Sequence, residues 1–304
     1  MCGIAAFFAK TPACEDRLGE LFSPMLSCLS GRGPDSAGFA LYRDPAPAGC
    51  VKVVLQHPQK GFPWRETLER FGAPVRSHKT ISTHCVAVLD AGEDAFRQWL
   101  EREHPAITLM SAGELIEIYK ETGLPCSVLE RFQLATAKGS HAIGHTRMAT
   151  ESAVTTAGSH PFSTGRDLCL VHNGSLSTHN RLRLNLRREG VVFRTDNDSE
   201  VAAGYLTWRL RRGDSLEDAL TGALRDLDGF FTFAIGTRDG FAVLRDPIAC
   251  KPAVMAETDD YVAMASEYRS LAHLPGVETA RLWEPEPGRV FTWSKAAAEI
   301  RLAA

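Results

Sequence analysis

An unbroken apolar run from Gly3 to Phe8 follows directly on Met1-Cys2 and reads as a buried β-strand running straight from the N-terminus. The residue at the head of that strand is a cysteine. Initiator methionine is usually trimmed before a small residue, and its removal makes Cys2 the first residue, carrying both a thiol and a free α-amine. An α-amine has a reference pKa of about 7.7–8.0, so a good fraction is neutral near pH 7. It can serve the thiol as general base, directly or through a water, and the thiolate is the nucleophile. No distant histidine is then needed. The bland alternative is a chain that begins Met-Cys by chance, and the later segments decide between the two.

Composition narrows the remaining classes. The chain has 304 residues, 44% hydrophobic and 23% charged, as in an ordinary globular protein. A formal net charge of −3 gives no reason to expect nucleic-acid or anionic-membrane partners. No apolar run approaches the roughly 20 residues that span a bilayer, and the start lacks a signal peptide's basic and apolar regions. The expectation is a cytoplasmic protein. The cysteines stand at 2, 14, 28, 50, 85, 126, 169 and 250 without a CxxC pair, so neither a zinc site nor a disulfide framework is suggested.

Along the chain, Leu18 to Leu29 has helical apolar spacing, and Gly31-Arg32-Gly33-Pro34-Asp35 breaks it. Ser36 to Tyr42 and Val51 to Leu55 read as strands. Between about 56 and 138 the pattern turns βαβα-like. Ile81 to Leu89 reads as a strand, Ala95 to Arg102 as a helix and Ala106 to Met110 as a strand; Ser111 with Glu114 predicts a capped helix through Tyr119. This segment is expected to be an inserted subdomain, placed to dock a partner. After Ser140 short strands dominate, with helices over Leu176 to Arg188, Glu200 to Arg211 and Leu216 to Asp226.

Several segments carry chemistry together. They are Gly31-Arg32-Gly33-Pro34-Asp35-Ser36-Ala37-Gly38, Gly144-His145-Thr146-Arg147-Met148-Ala149-Thr150, Ser159-His160-Pro161-Phe162 and Val171-His172-Asn173-Gly174. Thr195-Asp196-Asn197-Asp198-Ser199-Glu200, Arg245-Asp246-Pro247 with Lys251-Pro252, and Ala265-Ser266-Glu267 complete the set. With Cys2, in this order, the set closely resembles the class II glutamine amidotransferases, which are N-terminal-nucleophile hydrolases. The resemblance covers about residues 2–55 and 140–290 of a domain expected over 2–295. It implies an α+β fold, a four-layer αββα sandwich with the inserted α/β segment over 56–138.

The resemblance also implies roles. Cys2 is the nucleophile. The Asn173 side chain and the Gly174 backbone N–H form the oxyanion hole, where each donor typically contributes about 3 kcal/mol. Asn-Gly is equally a strong hairpin-turn signal. Arg147 clamps the substrate α-carboxylate with its planar fork of donors, Asp198 rather than Asp196 pairs with the α-ammonium, and Thr150 adds a hydrogen bond near the carboxylate. His160 orders the clamping loop or is merely structural. Arg32 holds the N-terminus and Asp35, or forms a structural salt bridge. Met148, Glu151 and Cys250 depart from the residues common in the family at those positions.

The implied substrate is L-glutamine. With no room for a fused synthase, the expectation is a free-standing glutaminase subunit that resembles the amidotransferase-like subunits of N-methylglutamate synthase-type complexes. Its partners would resemble parts of glutamate synthase, and flavin and iron–sulfur groups would belong to those partners, with no cofactor or metal in this chain. A stand-alone γ-glutamyl amidohydrolase and a non-catalytic assembly subunit are the other readings. Other signals carry less. His141 and His145, four apart on a strand, stand about 13 Å from each other, too far to share a metal ion. Gly31-Arg32-Gly33 lacks the Gly-Lys-Ser/Thr ending of a phosphate loop.

Overall fold

The computed structural model describes residues 2–149 and 153–296. In chain order its strands are β1 (Gly3–Ala9), β2 (Ser36–Tyr42), β3 (Val51–Gln56), β4 (Val75–Ile81), β5 (His84–Leu89), β6 (Thr108–Gly113), β7 (Ile116–Thr122) and β8 (His141–Arg147). They continue with β9 (Phe162–Gly165), β10 (Leu168–Leu176), β11 (Gly229–Thr237), β12 (Gly240–Arg245), β13 (Val254–Glu257), β14 (Tyr261–Ala265), β15 (Arg281–Trp283) and β16 (Val290–Ser294). The helices are α1 (Pro12–Asp16), α2 (Leu18–Cys28), α3 (Trp64–Glu69), α4 (Glu93–Glu103), α5 (Pro125–Arg131), α6 (His179–Arg188), α7 (Asp198–Arg211) and α8 (Leu216–Asp226).

β1 organises the fold. It lies inside a sheet of order β15-β13-β14-β1-β8-β2-β7, antiparallel to β14 on one edge and β8 on the other. Successive side chains of a strand point to opposite faces. Ala5, Phe7 and Ala9 therefore meet α2 and α5, while Ile4, Ala6 and Phe8 face the second sheet, order β16-β12-β11-β10-β9. Both faces are buried, which is why the run is apolar throughout and shows no alternation. Each fully buried phenylalanine here contributes about 1.5–3 kcal/mol. β10 alternates in the same way: Cys169 and Val171 join the inter-sheet core, and Leu168 and Leu170 pack under α6, α7 and α8. The result is the four-layer αββα sandwich. On α2, Leu26 and Phe22 approach β8 so closely that a Cβ at Gly144 would lie 2.6 Å from Leu26 Cδ2.

The remaining strands form a separate sheet, order β4-β5-β3-β6, covered by α3 and α4 through Trp64, Leu68, Phe96 and Leu100. It spans Val51 to Gly113 rather than 56–138, since β7 and α5 belong to the large sheet and its helical layer. A buried ionic cluster ties the two: Lys52 Nζ on β3 donates to Glu117 Oε1 on β7 at 3.1 Å, and Arg43 and Tyr119 donate to Glu117 Oε2 at 3.0 and 2.9 Å.

Two expected elements differ. The helix expected from Ser111 to Tyr119 is a β-hairpin, and Ser111 Oγ donates to Ile116 O rather than capping a helix. The period is two: Ile116 and Ile118 face the inter-sheet core while Tyr119 joins the helical face. Asp167 closes this hairpin by accepting the N–H groups of Glu114, Leu115 and Ile116 at 2.7, 2.8 and 3.0 Å. The strand expected over Ile81 to Leu89 is the end of β4, a turn through Ser82, which has positive φ, and β5.

Candidate active site

Cys2 stands at the end of β1, where Gly3 pairs with Thr146 of β8 and Ser266 follows β14. The Met148 N–H points at the Cys2 sulfur, N to Sγ 3.4 Å. Arg32 Nε donates to the Cys2 carbonyl at 2.9 Å, and its Nη1 donates to Glu267 Oε1 at 2.7 Å. That hydrogen bond holds the Glu267 carboxyl below the usual range. The expected hold of Arg32 on Asp35 is replaced by this pairing with Glu267. Asp35 instead accepts the Ala149 N–H at 2.8 Å, under the backbone that follows Arg147.

Asn173 and Gly174 do not form a turn. They lie within β10, opposite Thr232 and Phe231 of β11. Like Val171, Asn173 faces the inter-sheet side, where it meets His145 of β8. His145 Nε2 lies 3.0 Å from Asn173 Oδ1 and 3.1 Å from the His172 carbonyl. Asn173 Nδ2 donates to the Cys2 carbonyl and to Ser266 Oγ, each at 3.2 Å, and Ser266 Oγ also accepts the Ile4 N–H at 2.9 Å. Gly174 has φ +150°, and a Cβ there would lie 2.0 Å from Phe230 O and 2.6 Å from His172 Nε2, so only glycine fits.

The charged groups come from β8 and α7. Arg147 ends β8 and is buried, with Nη1 donating to Ala153 O at 3.3 Å. Asp198 opens α7 behind the N-cap Asn197, whose side chain accepts the Ser199 N–H, and Asp198 Oδ2 accepts the Leu176 N–H at 2.9 Å. Asp198 faces the cavity while Asp196 is fully solvent-exposed. Thr150 lies outside the described residues.

Three buried histidines underlie the site. His145 and His160 stack at 4.0 Å. Burial depresses His145 to about 3 and holds His160 well below the ordinary imidazole value. Burial also lowers His172, against the pull of Asp198, so the His172–Asp198 approach of 3.9 Å is not an ion pair near pH 7. The loop bearing His160 is gathered by Lys120 of β7, whose buried ammonium donates to the carbonyls of Ala157, Ser159 and Pro161 at 3.1, 2.7 and 3.1 Å. Desolvation lowers this lysine to about 7.

Cys2, Arg147, His160, Asn173, Gly174 and Asp198 thus meet around one cavity of about 380 Å³, which Arg32 also lines. A thiol, an amide donor, a guanidinium and a carboxylate around such a space suit an amino acid bearing a side-chain carbonyl. Ser266, Glu267 and His172 lie inside motifs visible in the sequence, but the motifs alone give them no role. His145 stands out in the sequence only as half of an unsuitable metal pair with His141. Lys120 gave no signal, because its strand reads as a helix. Among the described residues no group of three or more His, Cys, Asp or Glu side chains is arranged to hold a metal ion, and no helix is long and apolar enough to cross a membrane.

Comparison with known proteins gives the family and the fold. Residues 145–273 match the glutamine amidotransferase domain family. The glutamine amidotransferase-like protein GlxB of Rhizobium meliloti (strain 1021) is 56% identical over 297 residues, covering 96% of this chain and 98% of that protein. A putative glutamine amidotransferase of Methanothermobacter thermautotrophicus is 32% identical, covering 95% and 98%. Among solved structures, the glutamine phosphoribosylpyrophosphate amidotransferase of B. subtilis aligns with 97% of this chain and 48% of its own, at a TM-score of 0.61 and 21% identity. A structure described as the allosteric regulatory enzyme of purine biosynthesis aligns at 0.64 and 21%, covering 97% and 47%. The chain spans about half the length of these two solved enzymes, and at such identity they show the shared fold.

Proposed function

The chain belongs to the class II glutamine amidotransferases, amide hydrolases of the N-terminal-nucleophile type, and on that premise we propose that Cys2 cleaves the side-chain amide of L-glutamine through a thioester. The observation that carries this is the convergence of Cys2, Asn173-Gly174, Arg147 and Asp198 on one cavity. Removal of Met1 frees the Cys2 α-amine. The amine takes the thiol proton as sulfur attacks the amide carbon. Charge then develops on the amide oxygen, where Asn173 Nδ2 and the Gly174 N–H receive it. The ammonium of Cys2 returns the proton to the leaving nitrogen, the C–N bond breaks and ammonia departs. Water, activated by the same amine, attacks the thioester and releases glutamate. Arg147 holds the α-carboxylate and Asp198 the α-ammonium, with Thr150 assigned a hydrogen bond beside the carboxylate. Arg32 steadies the Cys2 carbonyl, and His160 supports the clamping loop.

Ammonia is mostly protonated at pH 7 and then not nucleophilic, so a sheltered acceptor is needed. Our reading gives the ammonia to a separate synthase subunit resembling part of glutamate synthase, within an N-methylglutamate synthase-type complex, and assigns flavin and iron–sulfur groups to that partner. The near full-length similarity to the glutamine amidotransferase-like protein GlxB supports the glutamine-cleaving part of this reading. The test is glutamate release from L-glutamine by the protein and by Cys2→Ala, after mass spectrometry has established loss of Met1. Activity that survives in Cys2→Ala would refute the mechanism.

A further inference from the structure

We infer that His145 is a positioning residue that sets the orientation of the Asn173 amide, so that its N–H groups rather than its oxygen face the nucleophile; this rests on the proposed role of Asn173. Two oxygens lie within hydrogen-bond distance of His145 Nε2, Asn173 Oδ1 at 3.0 Å and His172 O at 3.1 Å. The His172 carbonyl can only accept, so Nε2 carries the proton and donates to both. A flipped Asn173 amide would bring its NH₂ toward that N–H. It would also bring its oxygen 3.2 Å from the Cys2 carbonyl oxygen, setting donor against donor and acceptor against acceptor. The orientation is therefore fixed at one end by His145. At the other end Ser266 is itself anchored by the Ile4 N–H.

His145 is suited to this duty and not to proton transfer. It is buried, its Nδ1 takes no hydrogen bond among the described residues, and its ring stacks on His160. Burial keeps it neutral near pH 7, and the His172 carbonyl keeps its one proton on Nε2, so the donor persists. A side chain lacking this donor leaves Asn173 Oδ1 without its partner and frees the amide to rotate.

The experiment compares His145→Leu, His145→Gln and Asn173→Ala, together with the double variant of His145→Leu and Asn173→Ala. Loss of one oxyanion donor typically costs about 10²–10³ in kcat. His145→Leu is expected to lower kcat by about 10², with KM for glutamine changed less than about threefold. The double variant should be no worse than Asn173→Ala within about threefold, because both substitutions disable one device. His145→Gln can place an amide N–H near the Nε2 position and should recover at least about tenfold in kcat. Alkylation of Cys2 by iodoacetamide forms no oxyanion and should keep its wild-type rate in His145→Leu and His145→Gln, neither of which removes a contact to Cys2. Multiplicative effects in the double variant, or an equal fall in alkylation, would overturn the assignment. The Asn173 side-chain amide protons, identified by their loss in Asn173→Ala, should exchange with water at least about tenfold faster in His145→Leu. Unchanged exchange would overturn it even in a protein that does not hydrolyse glutamine, an outcome that would instead refute the proposed function.

Discussion

Lowering the pH should unfold this protein near pH 5, and its buried histidines set the scale. His84, His141 and His145 are each at most 1% exposed, and burial depresses each from an unperturbed 6.5 to about 3. The unfolded chain therefore binds protons that the folded chain refuses. Stability is fully present above pH 6.5 and is lost as the pH falls toward 3. At pH 5 each group costs about 2 kcal/mol, so the three together cost about 6 kcal/mol, as much as many domains possess. His160 and His172 shift in the same direction and add to the loss. Urea unfolding at intervals from pH 7.5 to 5 measures this directly. His84→Phe provides the control. His84 lies edge-on to Phe132 at 4.7 Å, and phenylalanine can occupy that aromatic site. The variant should retain about 2 kcal/mol of what the wild type loses at pH 5. An unfolding free energy that changes by less than about 1 kcal/mol between pH 7.5 and 5 would refute the reasoning.

Three further outcomes are expected. Asp198→Asn keeps an acceptor for the Leu176 N–H but removes a charge, and should raise KM for glutamine roughly tenfold or more, as charged hydrogen bonds of about 1.5–3 kcal/mol imply; Asp196→Asn should leave steady-state kinetics unchanged. Gly174→Ala drives a methyl into the Phe230 carbonyl and should abolish glutamate release and lower the melting temperature, and a fully active variant would refute the need for glycine beside Phe230. Lys52→Met leaves Glu117 buried with Arg43 and Tyr119 but without its lysine, and should cost about 3 kcal/mol in urea unfolding.

The candidate site is legible in the sequence because its members fall in short, ordered motifs that resemble a known family's, and that family's Asp-Thr/Ser-Glu pattern is what singles out Asp198, two residues before Glu200, from Asp196. The sequence makes the layers legible only in part. β1 is visible as an apolar run, but nothing in that run says which strands flank it, since antiparallel partners come from residues 141–147 and 261–265. The 111–119 segment misleads because a Ser-x-x-Glu signal for a helix start competes with a two-residue period, and burial against the second sheet decides for the strand. Asn173-Gly174 carries a turn signature that strand pairing overrides. His145 and Lys120 act through contacts across sheets and loops, which no local pattern encodes.

The bond from Ile4 to Ser266 joins residues 262 positions apart. On a ribosome Cys2 emerges long before β14, the Asn173 support at Ser266 and the Arg32 partner Glu267. Until then β1 lacks one of its two neighbours, and Cys2 lacks the frame that aims it. Folding of this kind, dominated by distant pairings, is intrinsically slow. A chain that lacks β14 would thus hold Cys2 without the residues that frame it, and the proposed chemistry would begin only once the two sheets have closed.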